Sequence, residues 1–373
     1  MRLGKLGAIA TASVVVVAAA ATALGLGPRP RVDAPARPAD ETQPIARGDG
    51  GTALGAGATG EAPPEPKQRG VALGLFAEDV SFSYVPLLRE IAALGATHVA
   101  LIVPLYQTDG RSTDLALHTR FSPTLELIAD TVRAAKRERL EVTLFPIIRL
   151  ARPAPGEWRG TLAPVNRDRW FRSYGDLLGD LAAVAAQTGA TRLVVGSELS
   201  TLDDDLRRWR PLLERVRAIF PGHLVYSANW DHYRDARVFD LVDEDGVVGY
   251  FSLRADPRGP ATEAALEAAW RRHKEDLLRW HGDSRHPLVF TEVGYRSRVG
   301  STASPWDELP GGTPDAEEQR RAFAAFRRVW ARAPALDGAY VWNWYGWGGD
   351  GSVSYTARGK PAEKEVRLLL ESL

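Results

Sequence analysis

The chain has 373 residues, 45% of them hydrophobic and 25% charged, and Lys+Arg and Asp+Glu both number 47, so the formal charge is zero. That balance argues against nucleic acid or a polyanionic lipid surface as the main partner, because phosphate binding rests on basic excess. Cysteine is absent, which excludes disulfides, thiol chemistry, Cys-ligated zinc and a thiol-linked lipid anchor.

The first element is an export segment. MRLGK supplies two positive charges, and no charged residue occurs from Leu6 to Gly27. Two readings stand: a signal peptide over 1–27, with Ala21-Thr22-Ala23 as a small-residue cleavage site, or an uncleaved membrane anchor through residues 6–27. Either one exports the remainder to the periplasm, the medium or the outer face of a membrane. Residues 28–69 are rich in Pro, Gly and Ala with few large apolar side chains. Such composition cannot offset its own ordering entropy, so this stretch reads as a disordered linker.

A single domain is expected over 70–373. Apolar runs recur as VALGLF (71–76), THVALIVPLY (97–106), LEVTLFPII (140–148) and TRLVVGSE (191–198). They continue as HLVYSAN (223–229), GVVGYFSL (246–253), HPLVFTEVGY (286–295) and DGAYVWNW (337–344). Between them lie stretches with helical spacing at 85–94, 123–139, 168–189, 203–220, 262–281 and 316–333. Eight strands in helical alternation predict a (β/α)8 barrel. A doubly wound open sheet needs a phosphate-binding glycine loop after an early strand, and VALGLFAED has none.

Barrel active sites form at the C-terminal ends of the strands. There the sequence places Arg149, then Ser197 and Glu198, then Asn229, Trp230 and Asp231. Tyr250, Glu292, Tyr295, Arg296, Trp342, Asn343 and Trp344 complete the set. Taken singly, Glu198 reads as a helix cap or an ion-pair partner, and Glu292 as a salt bridge to Arg296. As a pair on strands four and seven, across the mouth from each other, they fit glycoside hydrolysis. One carboxylic acid protonates the leaving oxygen while the other carboxylate attacks the anomeric carbon or activates water.

GSELS, YSANWD, GYFSL, FTEVGYRS, and YVWNW followed by GKPAE together resemble glycoside hydrolase family 113 over roughly residues 70–373. FTEVGYRS is the most specific piece. The resemblance implies a (β/α)8 retaining enzyme of clan A, with endo-β-1,4-mannanase as the best-known activity. It implies Glu198 as general acid/base, Glu292 as nucleophile, Tyr250 as a hydrogen-bond partner of that nucleophile, and Trp344 as a platform under the cleaved sugar. Asn229 and Trp230 become substrate contacts, with Ser197, Tyr295, Trp342 and Arg149 completing the expected binding set. Retention implies carboxyls about 5–5.5 Å apart.

Two departures stand out. Clan A enzymes usually carry Asn before the acid/base, and here that position is Ser197. Strand three ends in FPIIRLARP, where Arg149 points either to an acidic substrate or to an ion pair with a neighbouring carboxylate. Asp203-Asp204-Asp205 read as solvated acids at a helix start. His273, His281 and His286 match no metal-ligand spacing, Trp270 and Trp280 read as packing, and WYGWGGDGS reads as a loop over the site with Trp347 in it. No metal or cofactor is implied, and a monomer is expected. The alternatives are a glycosidase that trims an exopolysaccharide made by the same cell, and a non-catalytic polysaccharide-binding barrel in export or attachment.

Overall fold

Eight parallel strands close into a barrel in chain order in the computed structural model. It describes residues 66–373 apart from Val80, Asp283 and Asp350, so the expected export segment over 1–27 and residues 28–65 of the expected linker lie outside the described residues. The strands are β1 (Gln68–Gly74), β2 (His98–Gln107), β3 (Glu141–Leu150), β4 (Arg192–Ser197), β5 (His223–Ala228), β6 (Glu244–Val248), β7 (Leu288–Val293) and β8 (Gly338–Val341). The helices are α1 (Val85–Ala93), α2 (Leu125–Arg137), α3 (Arg167–Thr188), α4 (Leu206–Ile219), α5 (Glu263–His281), α6 (Ala316–Trp330) and α7 (Ala362–Ser372). Among the described residues the β5–β6 crossover carries only a 3-10 helix, Arg237–Leu241. A second 3-10 helix, Arg159–Thr161, interrupts the β3–α3 connection. No helix among the described residues is long and apolar enough to cross a membrane.

All eight anticipated strands form, with β1 starting at Gln68, just inside the stretch that composition assigns to the linker. Helix α3 ends where the sequence places Gly: Gly189 takes φ 77° as its cap and donates to Ala185 O, a left-handed position that favours a residue with no side chain. Helix α7 was not foreseen, because AEKEVRLLLES follows a long turn-rich stretch and offers a short apolar stripe.

Two apolar layers result. One packs the helices onto the outer strand faces; the other fills the barrel with Ala72, Ala100, Ile102, Phe145, Val194, Val225 and Val289, among others. At the N-terminal end of the barrel this filling gives way to a buried ion pair, in which Arg192 Nε donates to Glu244 Oε1 at 2.7 Å and Gln68 Nε2 donates to Oε2 at 3.0 Å. Burial alone would raise the Glu244 carboxyl, but His223, Arg192 and Gln68 hold it below its ordinary value.

Register shifts fall on β4 (Val194/Gly196), between β6 and β7 (Val247/Val248) and between β7 and β8 (Phe290/Val293). Bulges re-aim side chains at barrel rims, and these strands lead into Glu198, Tyr250 and Glu292.

Removing one partner of a buried ion pair strands the other charge. Glu244→Gln is expected to lose about 3 kcal/mol of stability at neutral pH in denaturant melts. A depressed carboxyl contributes stability above its ordinary value of 4.5 and loses it as pH falls, so the deficit should shrink in acid.

Candidate active site

Glu198 follows β4 directly and takes φ 54°, a left-handed conformation rare for a side-chain-bearing residue. The turn is held from several sides. Glu198 N donates to Ser227 O at 2.7 Å, and Leu199 N donates to the Tyr226 hydroxyl at 3.2 Å. That hydroxyl donates in turn to Asp203 Oδ2 at 3.2 Å, and His232 Nε2 lies 3.3 Å from Oδ1. Asp203 is 1% exposed, so it is no solvated helix-start acid: it braces the turn that carries Glu198. Burial pushes its carboxyl up to about 6, against the opposing pull of His232 and Tyr226.

Glu292, on β7, is 1% exposed. Tyr250 donates its hydroxyl to Glu292 Oε2 at 2.7 Å, and burial with the neighbouring carboxylate keeps that hydroxyl protonated, well above its ordinary range. Glu292 Oε1 and Ser197 Oγ are buried and have no hydrogen-bond partner among the described residues. Two such atoms at one barrel end are what a polar ligand satisfies.

The two carboxyls act on each other. Burial pushes Glu292 up to about 8, and the Glu198 charge adds to the rise; Arg159 and the Tyr250 hydrogen bond oppose it. Glu198 is also raised, chiefly by burial, against the pull of Arg159. Arg159 Nε donates to Glu198 Oε2 at 2.8 Å, and Nη2 donates to the same oxygen. The arginine was not foreseen. Its only signal is a Trp-Arg-Gly inside the long β3–α3 connection, the kind of loop that carries function in barrels.

Around the pair, Trp230 stacks on Trp306 with ring centroids 4.8 Å apart, which brings the β7–α6 connection to the β5 end. Asn229 is buried and engaged within its own turn, donating to Asp231 Oδ1 at 2.7 Å and accepting from Trp230 N at 3.0 Å. Trp342 borders a cleft of about 250 Å³ with Phe76, Arg149, Arg296, Glu308 and Tyr355. Arg149 lies over the Phe76 ring at 5.1 Å, and no carboxylate pairs with it among the described residues. Arg296 donates to the carbonyls of Val353 and Leu309 rather than to Glu292.

Two expected site residues face elsewhere. Tyr295 is fully buried behind the barrel wall, where its hydroxyl accepts from Trp270 Nε1 at 3.0 Å. Trp344 is 2% exposed and donates Nε1 to Glu90 Oε2 on α1 at 2.9 Å. Along this stretch Trp342, two residues earlier, is the ring at the cleft; β8 ends at Val341, and the turn after it sends the two rings to different sides. Trp347 is 98% exposed and borders a groove with Glu90 and Arg367, on the α1–α7 side. Among the described residues no group of three or more His, Asp or Glu is placed to hold a metal ion.

The model of Glycoside Hydrolase Family 113 matches residues 76–347. The chain belongs to glycoside hydrolase family 113. It is therefore a glycoside hydrolase on a (β/α)8 barrel. Among solved structures, this family 113 member is similar to a family 113 β-mannanase from Alicyclobacillus acidocaldarius in complex with ManMIm. That likeness has 25% identity and a TM-score of 0.73 over 83% of this chain and 98% of the other. A second family 113 β-1,4-mannanase matches at 20% identity and TM-score 0.74, over 83% and 100% of the two chains. A family 5 enzyme from Streptomyces cattleya in complex with Manβ1-4GlcNAc shares the fold at 16% identity and TM-score 0.55, over 82% and 80%. A search of the curated proteins finds no match.

Because its folded value is raised, Glu292 stabilises the fold most fully below its ordinary value of 4.5 and loses that contribution as pH rises through about 8. Glu292→Gln should therefore melt above the native chain. The gap is expected to widen between about pH 5 and 8 by at least about 1.4 kcal/mol, one pKa unit, read by thermal unfolding across pH.

Proposed function

We propose that the domain hydrolyses β-1,4-mannosidic linkages with retention of anomeric configuration. The observation that carries this reading is the buried, mutually coupled pair Glu198 and Glu292, with Tyr250 on one carboxylate and Arg159 on the other. In the first step Glu292 attacks the anomeric carbon as Glu198 gives its proton to the leaving oxygen. In the second, Glu198 takes a proton from water, whose oxygen displaces Glu292 and releases the sugar. Tyr250 orients the attacking carboxylate. Ser197 Oγ, unpartnered beside Glu198, hydrogen-bonds a sugar hydroxyl, and Trp342 with the Trp230–Trp306 stack supplies flat apolar surface for the rings. The mannan assignment draws on the family and on the β-mannanase at 25% identity. No cofactor takes part, and an exported catalytic domain acting as a monomer on extracellular polysaccharide belongs to the same reading.

One tension accompanies it. Two buried carboxyls that repel each other hold one proton between them near neutral pH. Catalysis needs that proton on Glu198 and the charge on Glu292. Arg159 favours the opposite distribution, since its guanidinium stabilises charge on Glu198.

Purified domain should release reducing ends from β-1,4-mannan, and proton NMR of the earliest product should show the β-anomer. Glu198→Gln is expected to lower kcat by about 100- to 10,000-fold. Glu198→Ala should recover turnover with azide and yield a β-glycosyl azide. Glu292→Gln should abolish hydrolysis without azide rescue. Full activity in Glu292→Gln, or an α-anomeric first product, overturns the mechanism.

A further inference from the structure

The Arg159–Glu198 pair is the least expected arrangement in the site for a general acid, and it follows from how the β3–α3 connection is built. Glu157 Oε2 accepts from Gly110 N at 3.2 Å and Ala154 N at 2.9 Å. Trp158 N donates to Thr161 Oγ1 at 3.1 Å, closing the 3-10 turn. At Gly160 a Cβ would stand 2.3 Å from the Trp158 ring, so only glycine lets that indole fold back over the turn. Ala163 N and Val165 N donate to Gly110 O and Arg111 O. The loop is thus tied to the β2–α2 connection on both sides of Arg159, and what remains adjustable is the arginine side chain.

That side chain lies at the boundary of the site. Its exposure is 19%, against 5% for the Glu198 side chain. Trp158, whose ring lies 6.0 Å from the guanidinium carbon, is 38% exposed. An exposed indole beside a guanidinium offers a stacking face for a sugar ring and a fork for a carboxylate. The charges facing Glu198 come from every side: Arg159 from the β3–α3 connection, Glu292 from β7, Asp231 after β5 and Glu308 from the β7–α6 connection. Arg159 is the cation among these four. While it sits on Glu198, the guanidinium pulls against burial toward the ionised acid, the form that cannot protonate a leaving oxygen.

We propose that Arg159 is the receptor for a carboxylate on the leaving-group sugar, so that the preferred substrate is a β-1,4-mannosyl chain bearing uronic acid residues. Binding that carboxylate draws the guanidinium off Glu198. The proton held by the carboxyl pair then moves to Glu198, and Glu292 becomes the ionised partner; no other bond changes in this step. The substrate's own charge sets the acid and the nucleophile into their working states. This inference rests on the hydrolase reading above and adds the substrate class to it. Arg149, at the cleft with its charge on the Phe76 ring and no carboxylate partner among the described residues, adds a second cation along the same face.

The test uses one backbone in three states of charge: β-1,4-linked polymannuronate, the same polymer partly carboxyl-reduced, and the fully reduced form, which is β-1,4-mannan. The partly reduced polymer should be cleaved with kcat/KM about tenfold or more above mannan, the size of one charge-assisted hydrogen bond. Sequencing of the fragments should place mannuronate at the newly formed non-reducing ends. Arg159→Gln should erase that preference, bringing the ratio of kcat/KM on the acidic polymers to that on mannan down to about one, while Arg159→Lys keeps part of it. If mannan is cleaved as well as the acidic polymers, with mannose at the new ends and a ratio unmoved by Arg159→Gln, the carboxylate receptor is overturned and the hydrolase reading stands. A chain that neither cleaves nor binds any of the three, by calorimetry on the Glu292→Gln variant, overturns both.

Discussion

Two carboxyl groups closed off from water at one end of a barrel cannot both carry charge without a cation beside them. Much of the upper half of this molecule is arranged around that constraint. Burial raises both groups, Tyr250 donates to one, Arg159 to the other, and the exposed Glu308 adds negative potential from the rim. Solvating them would remove the problem and the chemistry together, because a carboxyl that titrates near its ordinary value is a poor proton donor at neutral pH. The site is therefore held in an electrostatically uncomfortable state by the rest of the fold, in keeping with the general tension between stability and activity.

The two ends of the barrel handle buried charge differently. At the N-terminal end Arg192, Glu244 and Gln68 form a pair with its oxygens bonded, and the Glu244 carboxyl is held low. At the C-terminal end Glu292 Oε1 and Ser197 Oγ have no partner among the described residues, and both acids are held high. A satisfied polar group stabilises structure, and an unsatisfied one costs free energy until something fills it. The contrast separates the half that holds the strands together from the half that waits for a ligand.

The strands were legible because buried parallel strands read as nearly continuous apolar runs, and because turn residues punctuated them clearly. The carboxylates were legible because each stood where such a run stopped. What failed was direction. Tyr295 lies three residues from Glu292 and Trp344 two from Trp342, yet strand alternation at the first and the turn after β8 at the second send them to the helix layer. Sequence spacing alone does not say which face a residue at a strand end will take once a bulge has shifted the register. Asp203 failed for another reason: a run of three acids looks solvated, and only the fold shows that Tyr226 and His232 close over the first of them. Arg159 needed knowledge of where a sixteen-residue connection doubles back, which no local pattern carries.

Residue 66 enters the domain directly ahead of β1, at the end of the barrel occupied by the Arg192–Glu244 pair, where Lys67 Nζ donates to Ala333 O at 2.6 Å. Helix α7 runs back toward that same end, so Leu373 also finishes on the face opposite the two glutamates. Any bead, fusion partner or surface joined directly at residue 66 or at Leu373 is thereby placed on the face away from the two glutamates. Immobilising the domain by its ends should leave a long polymer free to approach the other side.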